Sequence, residues 1–350
     1  NKRKTQMKKM LLIFSMFFCF VTADEFAGSS TTLGGYGELH WNMEDEAMDF
    51  HRFIFYIKHN FNDEWSMMSE VEIEHNMVYS CFEGEDDEGN AICVDEGGYL
   101  AMEQAFLNYW NGDWGFQGGV ILVPAGIINE YHEPPTFMSV ERPEYNKYVI
   151  PTTWFENGFA FYGKMGDVNW KYAMTGALNG DGIGAGIRSA RDKGVGSSSS
   201  DFVRTLQLSW AGMEGLKVGG SVTMNDAPLS AGGEVGVTLT EVNATYSKNN
   251  MYARMEHGSI DYDNNPSGVE STSGYYLDLG YNVADMVGCD GDLYLWTRTS
   301  EYDKDDDANS TTEISLFGVT FKPLENIAIK FETGEKNGGD IMRMGLGYNF

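Results

Sequence analysis

The sequence predicts an all-β chain, a transmembrane antiparallel up-and-down β-barrel of about sixteen strands with one long loop folded inward. Three observations predict it. Apolar and polar residues alternate along most of the chain, short connections alternate with long ones, and the C-terminal stretch "RMGLGYNF" keeps the alternation to its last residue. Chain ends are ordinarily polar and frayed. One that stops in phase on Phe350 stops inside a strand.

The N-terminus reads as an export signal. Basic residues, the apolar run "LLIFSMFFCFV" and the small residues Val21-Thr22-Ala23 follow in the order of a secretory signal peptide. The apolar run is shorter than the ~20 residues a spanning helix needs. Residues 1–23 are assigned to the signal, with Met7 as the initiation site, and 24–350 to a single barrel domain. Phe18 before Cys19 does not fit a lipoprotein box. Cleavage removes Lys2, Arg3, Lys4, Lys8 and Lys9 but no acid, so a chain of net charge −28 becomes more acidic still. Nucleic acid needs a basic footprint and is excluded as a partner. Hydrophobic residues at 42% argue against disorder, and 42 Gly with only 8 Pro suit strands and tight turns. No later run is long and apolar enough for a helical span, a criterion that misses barrels, whose strands alternate lipid-facing and polar residues.

The strands follow from period two. Leu216, Val218, Gly220, Val222 and Met224 oppose Lys217, Gly219, Ser221, Thr223 and Asn225. Tyr275, Leu277, Leu279 and Tyr281 oppose Asp278, Gly280 and Asn282, and Ile327, Ile329 and Phe331 oppose Ala328, Lys330 and Glu332. "GEVGVTLTEVNATYS" changes phase near Thr240, which predicts a bulge. The connections "FNDE", "NGD", "MGD", "AGMEG", "SKNN", "ADMVGCD" and "KPLEN" form a short set. The alternate set is longer: Cys81 to Glu96, Pro124 to Asn157, Asn179 to Asp201, Asp261 to Ser271 and Asp303 to Ser310. That is the layout of bacterial outer-membrane barrels, and it places the chain in the outer membrane of a Gram-negative bacterium, against lipid and lipopolysaccharide. A soluble sandwich has no need of long loops at every second connection. "DIMRMGLGYNF" is expected to close the barrel against "LGGYGELHW", because an unpaired edge in lipid is prohibitively costly. Met342, Met344, Leu346, Tyr348 and Phe350 then face lipid. The ending resembles the C-terminal signature read by the barrel-assembly machinery, with Tyr348 and Phe350 as the assembly signal. Tyr109, Trp110 and Trp114 flank a short turn, where an aromatic girdle is expected.

The longest connection, 124–157, holds Pro124, Pro134, Pro135 and Pro143. Ile127, Ile128, Tyr131, Phe137, Tyr145, Tyr148 and Trp154 within it need burial, which folding into the barrel supplies. It becomes the constriction loop, with Glu130, His132, Glu133, Glu141 and Arg142 as its charged groups. A lumen of about sixteen strands is water-filled and too wide to discriminate small solutes unaided.

"GVILVPAGIINEYHEPPTF…VERP…IPTTWFENG", preceded by "EQAFLNYW", is similar to porins of the phosphate-selective (O/P-type) family. The likeness is specific over Glu103 to Gly163 and loose over the rest. It implies a sixteen-stranded barrel, a homotrimer and a loop that constricts the channel. Phosphate selectivity in that family depends on an arginine ladder with a lysine cluster. Alternation here places Arg52, Lys58, Lys171, Lys217, Arg254, Lys330 and Arg343 in the lumen, but also Glu38, Glu70, Glu72, Glu74, Glu256, Asp278 and Glu332. A wall of mixed charge suits passive diffusion of small hydrophilic solutes or ions with modest charge preference. The alternatives are a surface receptor or adhesin barrel using its acidic loops, and a substrate-specific anion channel of the phosphate type.

An enzyme is not expected. In "HEPPT" His132 lacks a partner at Thr136 and the prolines prevent the helix a zinc protease needs. "GDGIGAGI" departs from a dinucleotide loop, and no G-x-S-x-G elbow occurs. His51 and His59 are placed at the two ends of the second strand. No cofactor and no metal site are expected, since the histidines are scattered and the acidic loops "DYDNNPSGVE" and "EYDKDDDANS" lack the Gly and closing Glu of a calcium loop. Cys81 and Cys93 bracket an acidic loop and are expected to form a disulfide in an oxidising compartment.

Overall fold

The computed structural model describes residues 29–350 except 76–81, 86–90, 95–97, 99 and 306–309, with backbone alone at 82–85 and 91–94. The expected signal segment lies outside the described residues. So does Cys81, hence the expected disulfide; its partner position Cys93 is described in its backbone only.

The strands, in chain order, are β1 (Ser30–Asn42), β2 (Ala47–Asn60), β3 (Trp65–Glu74), β4 (Phe82–Glu85), β5 (Ala91–Val94) and β6 (Leu100–Trp110). There follow β7 (Trp114–Leu122), β8 (Phe155–Met165), β9 (Val168–Thr175), β10 (Val203–Met213), β11 (Leu216–Pro228) and β12 (Glu234–Lys248). The chain ends with β13 (Met251–Asp263), β14 (Ser271–Asn282), β15 (Asp292–Asp303), β16 (Thr312–Leu324), β17 (Ile327–Lys336) and β18 (Gly339–Asn349). The β4–β5 hairpin stands apart, and β3 pairs directly with β6, so sixteen strands make one closed antiparallel barrel. Closure is antiparallel between β1 and β18, from Tyr36 opposite Asn349 to Asn42 opposite Arg343. Phe350 extends it by one step. Its N–H donates to the Gly35 carbonyl at 2.9 Å, its carbonyl accepts from the Gly35 N–H at 3.0 Å, and its ring stacks on Phe53.

The sheet is apolar outside and polar inside. On β10, Leu206 and Leu208 are 46% and 47% exposed while Thr205 between them and Val203 is buried. Met342, Met344 and Leu346 lie on the exposed face of β18, as the alternation required. Trp65, Tyr109 and Trp114 form a ring cluster beside the short turns, with centroids 5.0 and 5.5 Å apart. Trp110, expected in that girdle, instead stacks on Tyr162 at 5.3 Å and lines a cavity inside the barrel. The connections opposite the short turns are less uniform than expected: 43–46, 229–233 and 337–338 are tight turns among the longer loops.

No bulge occurs at Thr240, for β12 keeps register with both neighbours throughout. The sequence pattern changes there because the interior does. Val235, Val237 and Leu239 point inward into a buried apolar core, whereas Glu241 continues the same inner face at a polar level. Bulges occur instead where the pattern gave little warning. Between Glu38–Arg52 and Leu39–Phe50 the ladder skips His51, and between Glu70–Gln104 and Val71–Met102 it skips Glu103. A bulge turns its extra side chain off the ordinary pleat, and Glu103 is thereby buried inside.

Deleting Phe350 should cut the folded, heat-modifiable fraction in membranes severalfold, because it strips two hydrogen bonds and a stacked ring from the closing seam. Asn349→Ser, which leaves the seam backbone intact, should assemble near the parental level; equal yields for both variants would separate assembly from closure.

Candidate functional site

The long connection after β7 begins and ends in the wall. Asn129 braces its base, donating to the Val123 carbonyl at 2.8 Å and accepting from the Trp154 N–H at 2.7 Å. Between those points the segment lies inside the barrel, with Ile128, Phe137, Tyr145 and Trp154 buried. Its polar backbone is met by lumenal side chains. Lys322 donates to the Pro135 carbonyl at 2.6 Å, Arg254 to that of Thr136 at 2.9 Å and Lys330 to that of Ser139 at 2.7 Å. The Val140 N–H donates to Glu332, and Glu144 accepts from Tyr302 and Lys336. On the far side, Ile127 N–H donates to Glu256. A loop held this way satisfies backbone groups that burial would otherwise penalise.

A second segment, 176–202, packs on the first. Arg191 Nη1 donates to the carbonyls of Thr152 and Thr153 at 2.8 and 3.0 Å, and Glu156 gathers the N–H groups of Lys193 and Gly194 with the Ser197 hydroxyl. Ile183, Ile187 and Ala190 join the apolar core.

The inward loop lines two main cavities and a smaller one, ≈ 220 Å³, between Glu133 and the wall at Tyr56, Glu70 and Gln104. The larger, ≈ 940 Å³, opens beside the short turns and carries Lys164, Lys171, Lys217 and Arg254 with the carboxylates Glu130 and Glu214. The other, ≈ 410 Å³, is lined by Arg52, Arg142, Lys147, Arg188, Lys193, Arg298 and Arg343 against Glu74, Glu141 and Glu144, with His51. Several of these cations are backed by carboxylates that do not reach the cavity: Arg52 bonds Glu72 at 3.1 Å, Arg298 grips Asp278 through Nε and Nη2 at 2.6 and 2.7 Å, and Arg343 bonds Glu332 at 3.2 Å. Each such pair turns its positive end to the cavity.

The five charged loop residues do not form one ring. Glu130 accepts from Lys171 and Gln207 at the larger cavity, and Glu133 lies near it beside Glu70. Glu141 and Arg142 lie at the other cavity, where Glu141 meets His40 Nδ1 at 2.8 Å. Burial opposes ionisation of Glu141, but His40 outweighs it and holds the carboxyl down at about 2. His132 reaches neither of the two main cavities; it is buried at the edge of the smallest, where burial lowers its affinity for a proton but Glu103 and Glu70 outweigh this and push the imidazole up to about 10.

Of the expected lining, Lys171 and Arg254 reach the larger cavity, and Arg52, Glu74 and Arg343 the other. Glu72 stands behind Arg52, Glu70 faces His132, and Lys330 is covered by the loop, its ammonium 3.8 Å from the Phe137 ring centroid. Lys58 is exposed on the Arg52 face of β2. His51 lies within β2 rather than at its end; turned in by the bulge, it stacks on His40 at 4.7 Å. Arg298, Arg188 and Lys193 were missed. Only alternation on β15 could have found Arg298; the other two sit in a loop without period.

Against this geometry the comparisons agree. No protein-family model matches the chain. An uncharacterised protein of Aquifex aeolicus is 28% identical over 91% of this chain and 80% of its own length. Among solved structures, Salmonella typhi OmpF in complex with daunomycin superposes with a TM-score of 0.60 at 11% identity, over 94% of this chain and 99% of that one. The trimer form of OmpT, an outer-membrane protein of Vibrio cholerae, gives 0.57 at 12% over 92% and 100%. The anion-selective porin of Comamonas acidovorans gives 0.59 at 11% over 92% and 100%. The fold is that of an outer-membrane porin-type barrel.

Lys330→Met removes the amine donor from the buried Ser139 carbonyl, and a buried acceptor left unsatisfied costs about 1–3 kcal/mol. The variant should unfold at lower denaturant in detergent and show larger or noisier single-channel conductance. Unchanged stability and conductance would mean that this anchor does not hold the loop.

Proposed function

We propose that this protein is a passive diffusion channel of the bacterial outer membrane, open to small hydrophilic solutes and weakly anion-preferring, with the 124–157 loop as its constriction. The observation that carries the preference is the ≈ 410 Å³ cavity, where cations outnumber carboxylates in a chain of net charge −28. Buried carboxylates behind Arg52, Arg298 and Arg343 offset most of that charge at long range. Near the passage lies a layer of oriented ion pairs, with Lys147 and Arg188 exposed at the surface beside it. Rings of Arg and Lys favour anions at close quarters, where water screens least. This is the direction in which the resemblance to phosphate-selective porins points, without a full arginine ladder. The solved porin from Comamonas acidovorans, described as anion-selective, shares the fold and supports the class rather than the solute.

Assembly as a homotrimer, with a lipid and lipopolysaccharide exterior and Tyr348 and Phe350 as the signal for the assembly machinery, completes the reading. The trimer form of the Vibrio cholerae neighbour supports it. The dense anchoring of the loop also suits a closed surface-receptor barrel, and conduction separates the two. In planar bilayers under a KCl gradient, the protein should conduct with a reversal potential on the anion side. Lys147→Glu with Arg188→Glu should move it toward cations by more than Asp305→Lys does in an outer loop. Absent conductance would favour the receptor reading, and a cation-side reversal potential that ignores both variants would remove the anion preference.

A further inference from the structure

We propose that Glu70, Glu103 and His132 form a binding site for one divalent transition-metal ion of the Zn²⁺ type, which ties the inward loop to the wall at β3 and β6. Glu70 stands on β3, Glu103 is the bulge residue of β6, and His132 comes from the loop. All three side chains are buried, at 1%, 0% and 2% exposure. One donor atom from each lies within 4.8 Å of the others.

The polar atoms aimed into this space have no hydrogen-bond partner. They are Glu70 Oε1, both carboxylate oxygens of Glu103, and His132 Nε2. Four unsatisfied atoms in one buried spot are costly unless something joins them. His132 Nε2 lies 3.7 Å from Glu70 Oε1 and 3.7 Å from Glu103 Oε2, too far for hydrogen bonds. Two ligands held 2.0–2.1 Å from a tetrahedral Zn²⁺ stand roughly 3.4 Å apart, so the spacing needs only a small adjustment.

Orienting contacts are in place as well. His132 Nδ1 donates to the Asn129 carbonyl at 3.2 Å, which leaves Nε2 as the ligating atom, and Gln104 holds the other oxygen of Glu70. Binding displaces the Nε2 proton to solvent, and the neutral imidazole with two carboxylates then matches the charge of a dication; one nitrogen with oxygens suits Zn²⁺ better than Ca²⁺. Arg142, whose Nη2 donates to the His132 carbonyl at 3.1 Å, is the nearby opposing cation and lowers the affinity. The bulge is the sign that the site is built. Without it Glu103 would not share the inner face with Gln104, its immediate neighbour.

Asp49, His51 and His75 form a second cluster of suitable groups, but there the facing atoms already satisfy one another, since each Asp49 oxygen hydrogen-bonds the Nδ1 of one imidazole. That cluster serves as the control. Full-chain protein folded in detergent and stripped with EDTA is titrated with Co²⁺, read by its visible absorption, and with Zn²⁺, read by calorimetry. One saturable site per chain is expected. Glu103→Gln and His132→Gln should weaken it at least tenfold, and Asp49→Asn with His75→Gln should leave it unchanged. Glu70→Gln provides a further variant if one of the first two fails to show heat-modifiable migration. The proposal is overturned by a wild-type Co²⁺ spectrum no different from the aqueous ion, by equal binding in all variants, or by loss confined to the Asp49 control.

Discussion

Closure of the sheet is the constraint on which everything else depends. In hydrocarbon an unpaired strand edge cannot be hydrated, so the ladder between β1 and β18 must be complete before any strand is stable. Completing it creates a cylinder whose inner wall is polar and whose outer wall is apolar. Both features follow from one alternation. The closed wall then supplies fixed directions from which charged side chains reach inward, and the loop is built against them. Lys322, Arg254 and Lys330 offer donors at the loop carbonyls of Pro135, Thr136 and Ser139, and Glu332 offers an acceptor to Val140. A backbone with little regular structure of its own thus replaces internal hydrogen bonds with bonds to the barrel.

That exchange decides the fate of the lumenal charges. A side chain on the inner face meets water, an opposite charge or the loop, and alternation cannot say which. Lys171 and Arg343 keep contact with a cavity, whereas Lys330 and Glu332 are covered. Counting charged residues on the inner face therefore says little about selectivity. In the proposed channel, the charges that would meet a permeating ion are those left uncovered, and the loop chooses them. In the smaller cavity the uncovered groups are mostly cations, and Glu72, Asp278 and Glu332 are withdrawn behind them.

The barrel was legible in the sequence because period two is a local property. Leu216 to Met224, Tyr275 to Tyr281 and Met342 to Phe350 each declare a face without reference to anything distant. The inward path of the 124–157 loop was legible from aromatics that needed burial; Phe137, Tyr145 and Trp154 are buried, whereas Tyr131 stays exposed. What could not be read was set by register and by packing across the lumen. The change at Thr240 looked like a bulge and is a straight strand crossing from a core of Val235, Val237 and Leu239 to the polar level of Glu241. The true bulges at His51 and Glu103 depend on how two ladders meet, and adjacent polar residues such as Glu103-Gln104 are only a faint trace of one. The pairing of His132 with Glu70 and Glu103 joins three parts of the chain and has no local signature at all.

The last strand shows why the two levels cannot be separated. Its outer positions Met344, Leu346, Tyr348 and Phe350 serve the membrane face and the closing seam. Its inner positions Gly345 and Gly347 are glycines for a different reason. A Cβ on Gly345 would lie 2.9 Å from Val140, and one on Gly347 would collide with Pro134, so the loop fills the space that side chains would have taken. These residues need no unusual backbone angles; they need to be small. Alternate positions of a single strand therefore answer to lipid on one side and to the loop on the other. The seam that closes the barrel is also the floor on which the loop rests, so a change that widens the passage here strains closure, and one that loosens closure releases the loop.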